Sequence, residues 1–178
     1  MIILVRHAKV IINSSVIYAK DMGTFIRKYN ETDIERELPN GLPEADIYIS
    51  SKLKRSIEST KLLGKEADII DGSFNEADLP YADWTLIKLS AKIWAAIFRI
   101  AWLFGYSNHS ESYHNSKKRA ILAANILIKH DKNNQTVLLV GHGVMNKLIL
   151  KVLKSRGYSV GTKTGSGNWG YTILQYKQ

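Results

Sequence analysis

The chain begins MIILVRHAK (residues 1–9), and in this stretch a short apolar run ends on an arginine followed at once by a histidine. Residues 2–5 are apolar and mostly β-branched, which predicts a buried strand. The C-terminal end of a strand in a parallel sheet points at the crevice where ligands bind. We therefore expect Arg6 and His7 to lie at the mouth of a site. On these residues alone, a strand that merely ends on two polar surface residues remains the alternative.

The same alternation of apolar runs and helical segments continues along the chain. Further strands are predicted at residues 46–50, 67–70, 136–143 and 171–176. Helices are predicted near residues 24–29, at 52–64 with Ser51 as its cap, at 86–106, after Ser110 or Ser112, and at 144–157. Strands separated by helices predict an α/β fold, a three-layer α/β/α sandwich with a mostly parallel central sheet. At this length we expect residues 1–178 to form a single domain.

Composition narrows the classes of function. The chain has 178 residues, no cysteine and a formal net charge of +9. The lack of cysteine excludes disulfides, thiolate zinc sites and a cysteine nucleophile, and it fits a reducing compartment. Because the N-terminus also lacks the pattern of a secretory signal, we expect a cytoplasmic protein. The positive charge favours anionic partners, but the basic residues are dispersed and no nucleic-acid signature accompanies them, so no nucleic acid partner is expected.

The most apolar segment is LIKLSAKIWAAIFRIAWLFGY (residues 86–106). Lys88, Lys92 and Arg99 interrupt it, and its uncharged pieces are far shorter than the roughly 18 to 20 residues that a membrane span requires. We expect a mostly buried helix and no stable membrane span. The alternative is an exposed face that binds a membrane surface or a partner. The tryptophans of this region are expected in the core or in the wall of a pocket: Trp84, Trp94 and Trp102.

Three of the predicted strands end on residues that suit phosphate chemistry. These are Arg6 and His7 after the first strand, Ser51 and Arg55 after the second, and Gly141, His142 and Gly143 at the end of the strand at 136–143. Parallel strands bring their C-terminal ends to one edge, so the two histidines and two arginines are expected to converge. Arginine matches phosphate oxygens with two donors, and a neutral imidazole is a nucleophile. Gly143 opens a helix whose first N–H groups favour an anion.

These motifs resemble those of the histidine phosphatase superfamily, also called phosphoglycerate mutase-like. The matching segments, in the order of the family, are LVRHAK with Asn13, SSKLKRSIEST (50–60), FNEADLPYADW (74–84), SES with Arg119, LLVGHG (138–143) and NWGYTILQY (168–176). Three positions depart from the pattern: Ala8 and Lys52 replace a glycine and a proline, and Pro80 stands where a glycine is frequent.

The resemblance implies phosphoryl transfer through a phosphohistidine on His7, with no metal or other cofactor. The phosphate-binding residues that it implies are Arg6, Asn13, Arg55, His142 and Gly143. Glu76 would protonate the leaving oxygen and later accept a proton from the attacking water, with Asp78 and Asp83 as alternatives for this acid.

The function expected from this resemblance is a metal-independent phosphatase that acts on a phosphomonoester or a phosphohistidine. Its partner would be a phosphorylated small molecule or a phosphoprotein. Hydrolysis is favoured over mutase transfer because the phosphoglycerate mutases that the chain resembles are longer, with an extra insertion and tail. Two alternatives stay open: a catalytically inactive phosphate-binding or interaction module of the same fold, and a mutase-type phosphotransferase.

Overall fold

The computed structural model describes residues 1–177, which fold around a six-stranded sheet with helices on both of its faces. The strands are β1 (Ile2–Arg6), β2 (Val16–Tyr18), β3 (Ile47–Ser50), β4 (Ile69–Ile70), β5 (Lys88–Ser90), β6 (Val137–Gly141), β7 (Tyr158–Lys163) and β8 (Tyr171–Tyr176). The helices are α1 (Met22–Glu31), α2 (Lys54–Leu62), α3 (Ala91–Leu103), α4 (Tyr113–Asp131) and α5 (Gly143–Ser155), with short 3₁₀ turns at Ala19–Asp21 and Gly72–Phe74.

The order of strands in the main sheet is β4-β3-β6-β1-β8-β7. The first four of these run parallel, whereas β8 and β7 are antiparallel to their neighbours. The central pair is β1 and β6, whose register places Arg6 opposite Gly141. The C-terminal ends of these two strands therefore lie side by side. The predicted α/β class with a mostly parallel sheet is confirmed.

The alternation of side chains along β1 explains why the strand is apolar throughout. Ile2 and Leu4 belong to a buried cluster that includes residues of α4 and α5. Ile3 and Val5 belong to a second buried cluster on the opposite face, where Leu63 at the end of α2 packs. A strand whose two faces are both covered reads as a continuous apolar run, as parallel strands generally do. Helices on both faces make the predicted three layers.

Several elements differ from the prediction because they are short or lie at an edge. The strands β2 and β5 form a separate two-stranded antiparallel sheet, and three residues each are too few for a periodic signal. Helix α3 consequently begins at Ala91 rather than near residue 86, with Ser90 as its cap. The edge strand β7 was missed since most of its side chains are exposed and polar.

Helix α3 buries only one of its sides, so the expectation of a mostly buried helix is wrong. Trp94, Phe98 and Trp102, spaced four residues apart, are buried, and Phe98 stacks on Trp94 with ring centroids 5.3 Å apart. The opposite side exposes a stripe of apolar side chains: Ile93, Ile97, Ile100 and Phe104. Trp84 is also exposed, contrary to expectation, while Trp94 and Trp102 lie in the core as expected. Among residues 1–177, no helix has the length and apolar character needed to cross a membrane.

A pair of alanine substitutions on α3 distinguishes its two sides. Phe98→Ala removes a ring that is 2% exposed, and we expect it to lower the free energy of unfolding by about 3–5 kcal/mol. Ile100→Ala, at a position that is 58% exposed, is the control and is expected to change it by less than about 0.5 kcal/mol. Urea unfolding followed by tryptophan fluorescence measures both. Equal losses would contradict the exposed stripe, because they would mean that the stripe is covered in solution.

Candidate active site

The two motif histidines meet where β1 and β6 end. His7 follows β1 and His142 follows β6, and the centroids of their rings are 5.1 Å apart. The backbone N–H of His7 donates a hydrogen bond of 3.0 Å to the carbonyl of Gly141, which extends the strand pairing into the site. Both rings are buried. Residues separated by most of the chain are thus brought together, as the sequence predicts, by the parallel pairing of two strands.

The hydrogen bonds of His7 define which of its nitrogens carries the proton. Its Nδ1 lies 2.6 Å from the carbonyl oxygen of Ala8, and because a carbonyl only accepts, Nδ1 is the donor. The neutral ring therefore keeps a lone pair on Nε2. Burial, together with the positive charges of Arg55 and Arg6, lowers the pKa of His7 to about 3, and the bond to Ala8 opposes this shift without overcoming it. His7 is consequently neutral near pH 7.

Arg55 covers the free nitrogen of His7. Its Nε–H donates to His7 Nε2 at 3.2 Å, and its Nη1 donates to the side-chain oxygen of Asn30 at 2.7 Å. Its Cζ lies 5.0 Å from the centroid of the Tyr29 ring, a cation–π contact with α1. The guanidinium is thus held between α1 and the imidazole. Tyr29 and Asn30 were not identified from the sequence, since neither belongs to a motif that marks the site.

Small buried hydroxyl residues allow α2 to lie close to the strand ends. Ser56 Oγ donates to the carbonyl of Val140 at 2.5 Å. Ser59 Oγ donates to the carbonyl of Arg55 at 2.5 Å and accepts the N–H of Ala8 at 2.9 Å. The Ala8 methyl group, which departs from the family pattern, is buried in a cluster with Val10. The methyl group therefore packs among apolar side chains.

His142 is fixed by Ser51, which does not cap α2 as predicted. Helix α2 begins later, with Leu53 at its cap. Ser51 Oγ accepts the N–H of Leu53 at 3.2 Å and lies 2.7 Å from His142 Nε2. Either atom of the serine–histidine pair can be the donor, and when the serine donates, the ring proton of His142 sits on Nδ1. Burial and the nearby charge of Arg55 hold the pKa of His142 well below the ordinary value.

Two buried nitrogens of this cluster have no partner within the described chain. They are His142 Nδ1 and Arg6 Nε, two of the four buried side-chain polar atoms of residues 1–177 that lack a hydrogen bond. The Nη1 of Arg6 donates to the carbonyl of Ser166 at 2.9 Å. A Cβ atom at Gly143 would lie 3.5 Å from Arg6 Nε, in ordinary van der Waals contact with the guanidinium. Buried polar atoms without partners are rare, and a bound oxyanion would satisfy Arg6 Nε, and also His142 Nδ1 in the tautomer that carries its proton there.

Glu76 occupies the N-terminal end of α5. Its carboxylate accepts the N–H of Met145 at 2.9 Å and that of Val144 at 3.2 Å, as expected for an anion at a helix N-terminus. The expectation that the first N–H groups after Gly143 bind a substrate anion is therefore wrong for these two donors, because Glu76 already fills them. Of the two alternative carboxylates, Asp78 lines the same cavity as Glu76, whereas Asp83 is exposed and pairs with His109.

Arg119 holds the loop that carries Glu76. Its Nη1 donates to the carbonyls of Ser73 at 3.1 Å and Asn75 at 2.6 Å, and its Nη2 donates to the carbonyl of Glu76 at 3.3 Å. The same guanidinium is paired with Glu111 at 2.7 Å. Arg119 thus acts on the site through the backbone of the loop. The resemblance of its segment to the family pattern was the signal that identified it.

The asparagine that the sequence predicts at the site is not the one that the structure places there. Asn13 is exposed and does not line the cavity, so the structure does not bring it to the histidines. An asparagine does support the motif from elsewhere: Asn168 donates to the carbonyl of His7 at 2.8 Å. Next to it, the N–H of Trp169 donates to the carbonyl of Arg6 at 2.9 Å. From the sequence, residues 168–176 were related only to the final strand and not to the site.

The cluster opens into a cavity of about 480 Å³ between α1, α3 and the loop at 75–79. Arg6, Arg55 and Glu76 form part of its wall. The rest of the lining is Ile12, Ser14, Met22, Phe25, Ile26, Tyr29, Asn30, Leu53, Asn75, Ala77, Asp78, Leu79, Ala91, Lys92, Ala95 and Arg99. Residues 1–177 contain no group of three or more histidine or acidic side chains arranged to hold a metal ion.

Solved structures share this fold at low sequence identity. The product of the open reading frame Rv3214 from Mycobacterium tuberculosis aligns with a TM-score of 0.54 at 17% identity, over 98% of this chain and 94% of that one. A putative alpha-ribazole-5'-P phosphatase from Escherichia coli aligns with a TM-score of 0.53 at 17% identity, over 84% and 78%. The mycobacterial glucosyl-3-phosphoglycerate phosphatase in complex with VO3 aligns with a TM-score of 0.55 at 17% identity, over 99% and 96%.

Sequence comparison identifies the family. A search of curated protein sequences gives no significant match. The family model described as histidine phosphatase superfamily (branch 1) matches residues 2–178. Because that match spans nearly the whole chain and the fold agrees with it, the protein belongs to branch 1 of the histidine phosphatase superfamily.

Proposed function

We propose that this protein is a metal-independent phosphatase that hydrolyses phosphomonoesters through a phosphohistidine on His7. The observation that carries the proposal is the state of that imidazole: its Nδ1 proton is engaged by Ala8, and its Nε2 lone pair faces the arginine cluster. A pKa of about 3 keeps this nitrogen unprotonated at physiological pH, as a nucleophile requires. Membership of the superfamily and the phosphatases among its structural neighbours support the same chemistry.

In the first step, His7 Nε2 attacks phosphorus while the bond to the leaving oxygen breaks. Arg55 Nε donates to this nitrogen before substrate binds, so the guanidinium must turn from the imidazole to a phosphoryl oxygen. Arg6 Nε supplies a further donor for the phosphoryl oxygens, as does His142 Nδ1 in the tautomer that carries its proton there. Glu76, on the cavity wall, has to take up a proton when the substrate binds, and it gives this proton to the leaving oxygen.

In the second step, a water molecule attacks the phosphorus of the phosphohistidine. The Glu76 carboxylate takes a proton from that water, and the bond between phosphorus and Nε2 breaks to return the neutral imidazole. Inorganic phosphate leaves, and Glu76 is again protonated for the next cycle. The two steps thus balance with the residues of this chain and one water molecule.

One observation favours a second function, that of a phosphate-binding module without catalysis. The hydrogen bond of 3.2 Å from Arg55 occupies the lone pair with which His7 would attack. If the guanidinium stays there when an anion binds, the site can recognise a phosphoryl group without transferring it.

Substitution of the proposed nucleophile separates these two functions. His7→Ala is expected to lower the hydrolysis of p-nitrophenyl phosphate, measured in EDTA, by about 10³-fold or more, since no phosphohistidine can form. The control is His109→Ala, an exposed histidine that pairs with Asp83 outside the cavity, and it is expected to retain the rate. Equal residual rates for wild type and His7→Ala would contradict the enzyme and favour the binding module. Isomerisation of phosphoglycerate faster than hydrolysis would favour a mutase instead.

The protonation of His7 gives a pH-dependent prediction. An ordinary histidine becomes charged below about pH 6.5, but burial and the two arginines disfavour the charged ring of His7. We therefore expect its imidazole to stay neutral from pH 8 down to about pH 4, with a pKa near 3. Nitrogen chemical shifts of the ¹⁵N-labelled histidines measure this, and the spectrum of His7→Ala assigns the signal. A midpoint near pH 6.5 would contradict the proposed environment.

Loss of the Arg119 contacts should affect the chemical step through Glu76. Arg119→Met removes the donors that hold the carbonyls of residues 73–76, and we expect kcat to fall by about 10²-fold with a smaller change in KM. Lys118→Met, which removes the same charge at an exposed neighbouring position of α4, is the control. Equal effects of the two substitutions, or a change in KM alone, would contradict a positioning role.

A further inference from the structure

We propose that the cavity selects phosphomonoesters with an apolar leaving group, such as a cycloalkyl, aryl or alkyl alcohol, over the phosphates of sugars and other polyols. The inference rests on the proposed function, because it takes Arg6 and Arg55 as the end of the cavity that binds the phosphoryl group. It goes beyond that function by defining what lies on the other side of the reacting bond.

The cavity is much larger than a phosphoryl group needs. Its volume of about 480 Å³ is within the range of roughly 300–1,000 Å³ that is typical of pockets for small organic ligands. Arg6 and Arg55, which the proposed function assigns to the phosphoryl group, form part of its wall, whereas neither histidine is among its lining residues and His7 is reached through Arg55. The remainder extends between α1 and α3, so the leaving group is in contact with these two helices.

The wall beyond the phosphate end is predominantly apolar. Helix α1 contributes Met22, Phe25 and Ile26, and α3 contributes the small side chains of Ala91 and Ala95. Leu53, Ala77 and Leu79 line the cavity from the segments next to these helices. The alanines leave room where a larger side chain would fill the space. Burial of an apolar group against such a wall is favourable in proportion to the apolar area removed from water.

Several polar atoms of the wall are engaged with other parts of the protein. The side-chain oxygen of Asn75 accepts the N–H of Lys52 at 2.9 Å, and that of Asn30 accepts Arg55. Arg99 donates to the carbonyls of Ala77 at 2.9 Å and Asp78 at 3.1 Å. These contacts hold the wall together and reduce the number of hydrogen-bonding atoms that face a substrate.

Other polar side chains also belong to the wall. Ser14, Asp78 and Lys92 are exposed, and Tyr29 presents its ring to Arg55. A sugar in this cavity would bury several hydroxyl groups against a mostly apolar wall, and those that found no partner would each carry the cost of lost hydration. An apolar ring of the same size carries no such cost and gains the apolar contact. Specificity therefore follows mainly from apolar contact.

A matched pair of substrates tests the inference. Cyclohexylmethyl phosphate and glucose 6-phosphate are both phosphates of a primary alcohol attached to a six-membered ring, and they differ chiefly in the ring hydroxyls. We expect kcat/KM of the wild-type protein to be larger for cyclohexylmethyl phosphate by about 10²-fold or more. Hydrolysis of both substrates at equal kcat/KM, or faster hydrolysis of glucose 6-phosphate, would overturn the inference and leave the proposed function intact.

A pair of substitutions on α3 assigns the selectivity to this cavity. Ala95→Phe fills the space between the helices, and we expect it to lower the ratio of kcat/KM for cyclohexylmethyl phosphate over acetyl phosphate by about tenfold or more. Ala96→Phe places the same ring at the next position, which is exposed and outside the cavity, and is expected to leave that ratio unchanged. An unchanged ratio in Ala95→Phe would overturn the inference.

Binding keeps the inference testable if no ester is hydrolysed. In the His7→Ala protein, calorimetry measures the dissociation constants of the two hexose-sized phosphates without turnover. Tighter binding of cyclohexylmethyl phosphate, by about tenfold or more, supports the inference even if the wild type is inactive and the proposed catalysis is wrong. Equal binding, or tighter binding of glucose 6-phosphate, overturns it.

Discussion

The parallel pairing of β1 with β6 is the constraint on which the remainder of the site depends. Its register, with Arg6 opposite Gly141, determines that the residues following the two strands are neighbours. The two imidazoles then meet with their centroids 5.1 Å apart, although they are separated by more than 130 positions in the sequence. A slip of one residue would turn the side chains of a strand to the opposite face and separate the pair. Because both faces of β1 are covered by buried clusters, the register is strongly specified.

Burial of this site favours the neutral imidazole that the proposed mechanism requires. An imidazole that is removed from water beside two arginines disfavours the charged form, and the carbonyl of Ala8 selects the tautomer. The same low-dielectric surroundings strengthen every donor that faces the anion. Unpaired charges would be costly there, but the arginines are held by Asn30, Tyr29 and the carbonyl of Ser166. The two arginines are thus held near the histidines before any substrate arrives, although in the proposed mechanism Arg55 still has to turn from His7 to a phosphoryl oxygen.

The sequence predicted site residues correctly where a chemically suitable residue comes directly after an apolar strand. The apolar run that ends at Arg6 predicted both the strand and the edge at which His7 lies, and the run before His142 did the same for β6. Contacts made by loops could not be predicted in this way. Asn168 and Asn30 reach the site through turns and helix ends that leave no periodic signal, and Asn13 was selected by spacing alone. The role of Ser51 was misassigned because a serine that precedes a helix usually caps it, whereas here tertiary contact with His142 prevails.

The hydrogen bond from Arg55 to His7 Nε2 has a consequence for the protein without substrate. A lone pair that already accepts a hydrogen bond is a poor reagent towards stray alkylating or acylating molecules. In the proposed mechanism, anionic phosphoryl oxygens offer the guanidinium a stronger partner and draw it from the nitrogen. Arg55 would then protect the proposed nucleophile until a phosphoryl group is bound.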